Sequence, residues 1–134
     1  VCFFFGMVPV NMTYYVETLS WNWEVALGSL AMGLMGANVL IVNNYRDVED
    51  DRAVGKRTLA VKWGRGTVRW LYLGNAAVAA GCLLPASMWV AAVYLAAAAV
   101  IWRELGRREG RALTPLLGAS AVAMLGVSGL LILN

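Results

Sequence analysis

The sequence predicts an all-α, multi-spanning transmembrane bundle of about five helices, and three observations support that fold class. Of the 134 residues, 60% are hydrophobic and 14% are charged, against roughly 45–50% and about 25% in soluble domains. The charge is segregated. All eleven Lys and Arg residues fall in two stretches, Arg46 to Arg69 and Arg103 to Arg111. Between and beyond them run apolar segments near the roughly 20 residues that a spanning helix needs.

Taken in order, the first segment runs from Val1 to about Val16 and is short for a span. The second runs from Trp23 or Glu24 to Val42, the third from about Val68 to Leu84, ending before Pro85. The fourth covers Ser87 to Trp102 and the fifth Thr114 to Leu133. Trp21, Trp23, Trp63, Trp70, Trp89 and Trp102 fall near the proposed ends, where an interfacial aromatic belt sits. Gly28, Ala31, Gly33 and Gly36 in the second span, and Gly118, Ala119, Gly126 and Gly129 in the fifth, are expected packing positions. In lipid, small residues let helices approach closely.

Sidedness comes from the cations. The turns Glu17 to Glu24 and Pro85 to Ser87 carry no Lys or Arg, while the loops after the second and fourth helices carry all of them. The positive-inside rule places the basic loops in the cytoplasm and Asn134 outside, as for a multi-pass protein of a bacterial inner (plasma) membrane. Residues 1–134 read as one transmembrane domain, with 43–66 as a cytoplasmic Asp-rich motif and basic loop. Arg52 to Gly66 is its polar stretch.

Composition excludes several chemistries. There is no His, so neither a Ser-His-Asp triad nor a His-ligated zinc site can be built from this chain. Cys2 and Cys82 fall near opposite membrane faces, which argues against a disulfide. The net charge of +3 lies between apolar spans without aromatic interleaving, which argues against nucleic acid as a partner. The chain begins with Val1 inside an apolar run, with no charged n-region and cleavage site of a signal peptide. A fragment, or a processed product, is the expected origin.

The run NNYRDVEDDRAVGKRTLAVKWG, Asn43 to Gly64, carries the chemistry. Asn43, Asp47 and Asp51 recur every fourth residue and share one helix face, while Glu49 and Asp50 turn away. Unbridged, the two aspartates would repel each other. A hard divalent cation such as Mg2+ reverses that penalty, being held by one or two carboxylates plus phosphate oxygens. Lys56 and Arg57 follow Gly55, where the helix can end, and can meet the phosphate charge. The pattern reads as a diphosphate site at a membrane surface. A solvated acidic helix cap on a small non-catalytic membrane protein or subunit is the plainer alternative.

The same run resembles the second aspartate-rich motif of the UbiA-type intramembrane prenyltransferases. Asn43, Asn44, Arg46, Asp47, Asp51, Gly55, Lys56, Thr58 and Leu59 fit an N-N-x-R-D-x-x-x-D-x-x-x-G-K-x-T-L pattern. Within that family it is most similar to menaquinone-pathway members, whose acceptor is 1,4-dihydroxy-2-naphthoate. Phe3-Phe4-Phe5-Gly6 looks like the start of the family's fifth helix. The resemblance covers the whole chain and is specific between Asn43 and Gly64. It implies the carboxyl-terminal part of a nine-helix fold, with a first aspartate-rich motif supplied by an amino-terminal half. It further implies that Asp47 and Asp51 bind Mg2+ and act in catalysis. Asn43, Arg46, Lys56 and Arg57 would bind substrate, a prenyl diphosphate. The acceptor would be 1,4-dihydroxy-2-naphthoate, with 4-hydroxybenzoate or homogentisate as the alternatives. Asn11, Tyr14 and Tyr15 are candidate acceptor-side residues.

Cysteines introduced at Lys62 and Arg108 should be labelled by an impermeant maleimide only from the cytoplasmic side, and one at Asn22 only from outside. Labelling of Lys62 and Asn22 from the same side would overturn the five-span topology.

Overall fold

The computed structural model describes residues 2–133; the expectations for Val1 and Asn134 lie outside the described residues. Every regular element is a helix. A π-helical turn, Cys2–Met7, leads into α1 (Val8–Thr18). Then come α2 (Trp23–Arg46), α3 (Val48–Ala53), α4 (Leu59–Leu83), α5 (Met88–Leu105), a 3-10 turn at Gly110–Leu113, and α6 (Thr114–Ile132).

The boundaries reflect local chemistry. Asn22 caps α2, its Oδ1 accepting from the Glu24 N–H at 2.7 Å, which satisfies one orphan donor of the first turn. The helix then runs one turn past the expected Val42 end, to Arg46. The third expected helix also starts earlier, because Thr58 Oγ1 accepts from the Val61 N–H and nucleates α4 at Leu59. The polar loop expected over Arg52 to Gly66 is therefore mostly helical. Gly64, with φ 81° and ψ 159°, breaks α4 into a short first piece and a long second one. That backbone region is essentially restricted to glycine.

Among the described residues, three helical stretches are long and apolar enough to cross a membrane: Trp23–Arg46, Met88–Leu105 and Gly110–Leu131. Of the five spans expected, the other two differ. The first, including its π-turn, reaches only from Cys2 to Thr18. In α4, Lys62, Arg65 and Arg69 occupy the first half of the helix. Trp70 lies 5.1 Å from Trp102, centroid to centroid, so the long piece of α4 is level there with the last turns of α5. The cationic start of α4 projects beyond that level, and the all-α membrane bundle stands.

Four helices close a ring: α2 packs on α4 and α6, and α5 on α4 and α6. Met35 and Val42 from α2, Val68 and Tyr72 from α4, and Val90 and Leu105 from α5 are buried in it. Asn38 sits in its interior, its amide donating to the Tyr72 carbonyl at 3.2 Å and reaching the Tyr94 hydroxyl at 3.4 Å. In hydrocarbon a polar side chain must find such partners inside the protein. The amino-terminal arm packs on another face of α2, where Asn11 donates to Ser29 Oγ at 2.6 Å and to the Met7 carbonyl at 2.8 Å. Those bonds give Asn11 an interhelical role. Tyr14 lines a pocket beside Val25, and Tyr15 is exposed. Cys2 and Cys82 are free thiols, in keeping with their expected separation.

Only one of the expected glycine contacts on α2 is tight. A Cβ on Gly33 would stand 2.6 Å from the Cys2 carbonyl oxygen, and one on Gly6 would stand 2.5 Å from the Gly33 Cα. Gly28, Gly36, Gly118, Gly126 and Gly129 meet nothing within 4 Å. Gly33→Val should therefore cost about 1–3 kcal/mol by overpacking, seen as a lower melting midpoint in detergent. Gly36→Ala should stay within about 0.5 kcal/mol of wild type. Equal effects of the two would show that the arm does not pack on Gly33.

Candidate active site

The motif begins in the last turn of α2 and runs through α3 into the start of α4, and its backbone explains its shape. The i→i−4 ladder continues through it: the Asp47 N–H donates to the Asn43 carbonyl at 3.1 Å, and the Asp51 N–H to the Asp47 carbonyl at 2.8 Å. Asp47 nevertheless has φ −92° and ψ 11°, outside helical values, and separates α2 from α3. Gly55, at φ 74°, ends α3. The Lys56 N–H reaches back to the Asp51 carbonyl at 2.9 Å, and the Gly55 N–H to the Arg52 carbonyl at 3.2 Å. This pair of bonds is a Schellman motif, which the left-handed glycine makes possible.

Two ion pairs organise the side chains. The Arg46 guanidinium is bidentate on Asp47, Nε to Oδ1 at 2.6 Å and Nη2 to Oδ2 at 2.8 Å, and Nη2 also donates to Asn43 Oδ1 at 3.1 Å. The Arg46 hydrogen bonds, with Lys56 assisting, hold the Asp47 carboxyl below the usual carboxylate range. The second pair is Lys56 Nζ with Asp51 Oδ1 at 3.1 Å; the Asp51 side chain is 9% exposed and that of Lys56 66%.

A cavity of about 570 Å³ opens beside Asp47. Arg46, Asp47, Glu49 and Asp50 line one side, Arg65 comes from α4, and Gly110, Arg111 and Thr114 come from the turn before α6 and its first residue. An apolar groove of about 590 Å³ lies between α2 and α6, lined by Gly36, Val39, Leu40, Asn43, Thr114, Leu117, Gly118 and Ala121. Thr114 belongs to both.

The six expected site residues are thus distributed. Arg46 and Asp47 line the cavity, and Asn43 lines the groove while touching Arg46. Asp51 is paired inward with Lys56. Arg57 lines a separate pocket with Val61 and Lys62. Glu49 and Asp50, expected to turn away, share the cavity with Asp47, because the break at Asp47 shifts the helical phase of α3. Arg65 and Arg111 were not anticipated. The glycine before each, Gly64 and Gly110, was the available signal.

Oxygen donors converge here on a cation. Asn43 Oδ1 and the Asp47 carboxylate both hold the Arg46 guanidinium, which stands where a hard metal ion would find oxygen ligands. Among the described residues no three acidic, Cys or His side chains converge. A divalent ion would therefore need phosphate or further protein oxygens as well.

Comparison with known proteins gives the same assignment as the motif. Residues 1–114 match the model of the UbiA prenyltransferase family. The 1,4-dihydroxy-2-naphthoate octaprenyltransferase of Mycobacterium tuberculosis is 38% identical over 129 residues, 91% of this chain and 44% of its own length. The protein of the same name in Mycobacterium leprae is 33% identical over 127 residues, covering 90% and 43%. That of Haemophilus influenzae is 40% identical over 84 residues, covering 63% and 27%. The chain thus spans less than half the length of these relatives, and no solved structure matches it. With a family match across most of the chain, and the Asn43–Gly64 motif formed at the mouth of its central helix, this chain belongs to the UbiA prenyltransferase family.

Proposed function

We propose that the protein transfers a prenyl group from a prenyl diphosphate to 1,4-dihydroxy-2-naphthoate in menaquinone biosynthesis, with Mg2+ and with its basic loops on the cytoplasmic side of the inner membrane. One observation carries the substrate class. A charged cavity beside Asp47 adjoins an apolar groove between α2 and α6, the two sharing Thr114. That juxtaposition suits a molecule with an anionic head and a long hydrocarbon tail. The naphthoate acceptor is supported by the relatives' names and by the N-N-x-R-D form of Asn43 to Asp47.

The chain's own residues account for the head group. Asp47 and Asp51 are the acidic ligands, with Asn43 beside Asp47. A divalent cation held by Asp47 and Asp51 would leave Arg46 and Lys56 free to hydrogen-bond phosphate oxygens. Arg57 adds positive charge at the loop edge. Magnesium, when bound, supplies the charge that neutralises a diphosphate leaving group. In the reaction the C–O bond to diphosphate breaks and a bond forms from the prenyl carbon to a ring carbon. Carbon dioxide leaves from that ring carbon, and the product is demethylmenaquinol.

Asp47→Asn or Asp51→Asn in the full-length protein should remove most transfer activity, at least about 100-fold by loss of metal-borne charge. Glu49→Gln should be mild. Wild-type turnover of Asp47→Asn at limiting magnesium would exclude the assigned role. The acceptor is tested separately, by supplying purified protein with magnesium, a polyprenyl diphosphate and either naphthoate or 4-hydroxybenzoate. Naphthoate should be prenylated; preference for the benzoate would remove the menaquinone assignment and leave the diphosphate site standing.

A further inference from the structure

We propose that Arg65 and Arg111 are two further diphosphate-binding residues, facing Asp47 across the cavity. The inference rests on the prenyl-diphosphate reading above and adds the opposite wall of the same site.

Two cations of the motif are paired with its aspartates in this structure. Arg46 is bidentate on Asp47, and Lys56 is 3.1 Å from Asp51. Arg65 and Arg111 are not so held. Arg65 reaches Glu49 and Glu109 only at 3.9 Å each, and those carboxylates are 67% and 86% exposed. Exposed pairs at that separation bind weakly. The Arg65 Nε is buried without a hydrogen-bond partner among the described residues, and its guanidinium lies 5.7 Å from the centroid of the buried Tyr45 ring. It is a planar donor fork with an unmet donor, and such forks match phosphate oxygens in paired hydrogen bonds. Arg111 has no carboxylate within 4 Å among the described residues and lines the same cavity.

Each of the two arginines follows a glycine of positive φ. Arg65 follows Gly64, whose φ of 81° breaks α4, and Arg111 follows Gly110, at φ 55°. Neither glycine has a neighbour within 4 Å that would collide with a Cβ. Glycine is therefore required for backbone conformation and not for space, and each conformation turns the next residue toward the cavity. Without ligand the lining is balanced, Arg46, Arg65 and Arg111 against Asp47, Glu49 and Asp50. Once Asp47 is covered by a metal ion, the excess is positive and faces the head group.

The test uses the full-length protein in detergent with magnesium and measures the Kd of farnesyl thiodiphosphate, which resists ionisation. Arg65→Gln and Arg111→Gln should each weaken binding about tenfold to a hundredfold, as loss of a charge-assisted hydrogen bond predicts. Arg65→Lys should recover part of the loss, and Arg103→Gln, on the exposed end of α5, should bind as wild type. Glu49→Gln/Glu109→Gln should tighten binding, and that gain should vanish when Arg65→Gln is added. A purely structural Arg65 predicts the reverse: lower melting temperature, unchanged Kd, and no tightening on glutamate removal. Asp47→Asn runs in parallel. Unchanged affinity in both arginine variants beside a loss in Asp47→Asn overturns the inference and leaves the function intact. Unchanged affinity in all three overturns the function as well. If Arg65→Gln fails to fold, Arg111→Gln and the glutamate pair decide.

Discussion

Lipid tolerates almost no unpaired backbone, and that constraint organises this chain. Inside hydrocarbon every N–H and C=O must be bonded within the protein, so the long helices run without interruption through their apolar lengths. Leu19, at φ 51°, closes α1 at one end, while the other, which carries the acidic motif, has the non-helical Asp47 and the positive-φ glycines Gly55, Gly64 and Gly110. The cations gather there too. Irregular backbone and charge are both excluded from the hydrocarbon, so both are confined to the helix ends. A charged cavity at that end is a consequence of the exclusion before it is anything catalytic.

Helix α2 joins this end to the rest of the bundle. It packs on α4, α6 and the amino-terminal arm, with Asn38 tying its middle to α4 and α5 through side-chain bonds. Its last turn carries Asn43 and Arg46, and its hydrogen-bond ladder passes through Asp47 to Asp51. The stance of the acidic motif is thereby set by how α2 sits in the ring. Gly33 against Cys2 and Gly6 fixes one side of that helix. A substitution at Gly33, far from the charged end, acts on the site through α2 alone.

The ion pairs at the site balance the charge of its two motif aspartates. A buried Asp51 without a partner would be costly, since taking a charge out of water is expensive unless it is compensated. Lys56 compensates it, and Arg46 does the same for Asp47.

The sequence by itself determined the helical membrane class, the segregation of charge and the family, because hydropathy, cation placement and the spacing of Asn43, Asp47 and Asp51 are local properties. It also located the stop at Gly55, since a glycine followed by Lys56 after an acidic turn is a local capping signal. Element ends were less legible: Thr58 as a cap turned an expected loop into helix, and Gly64 then broke that helix. Tertiary structure alone decided which charges meet. Arg65 and Arg111 come from different elements and line one cavity with Asp47, while Asp51 and Lys56 turn to each other. The groove shared by Gly36 and Gly118 likewise exists only once α2 and α6 are side by side. Periodicity fixes a face within one helix, but the angle between helices depends on packing among residues far apart in the chain, and no local pattern encodes it.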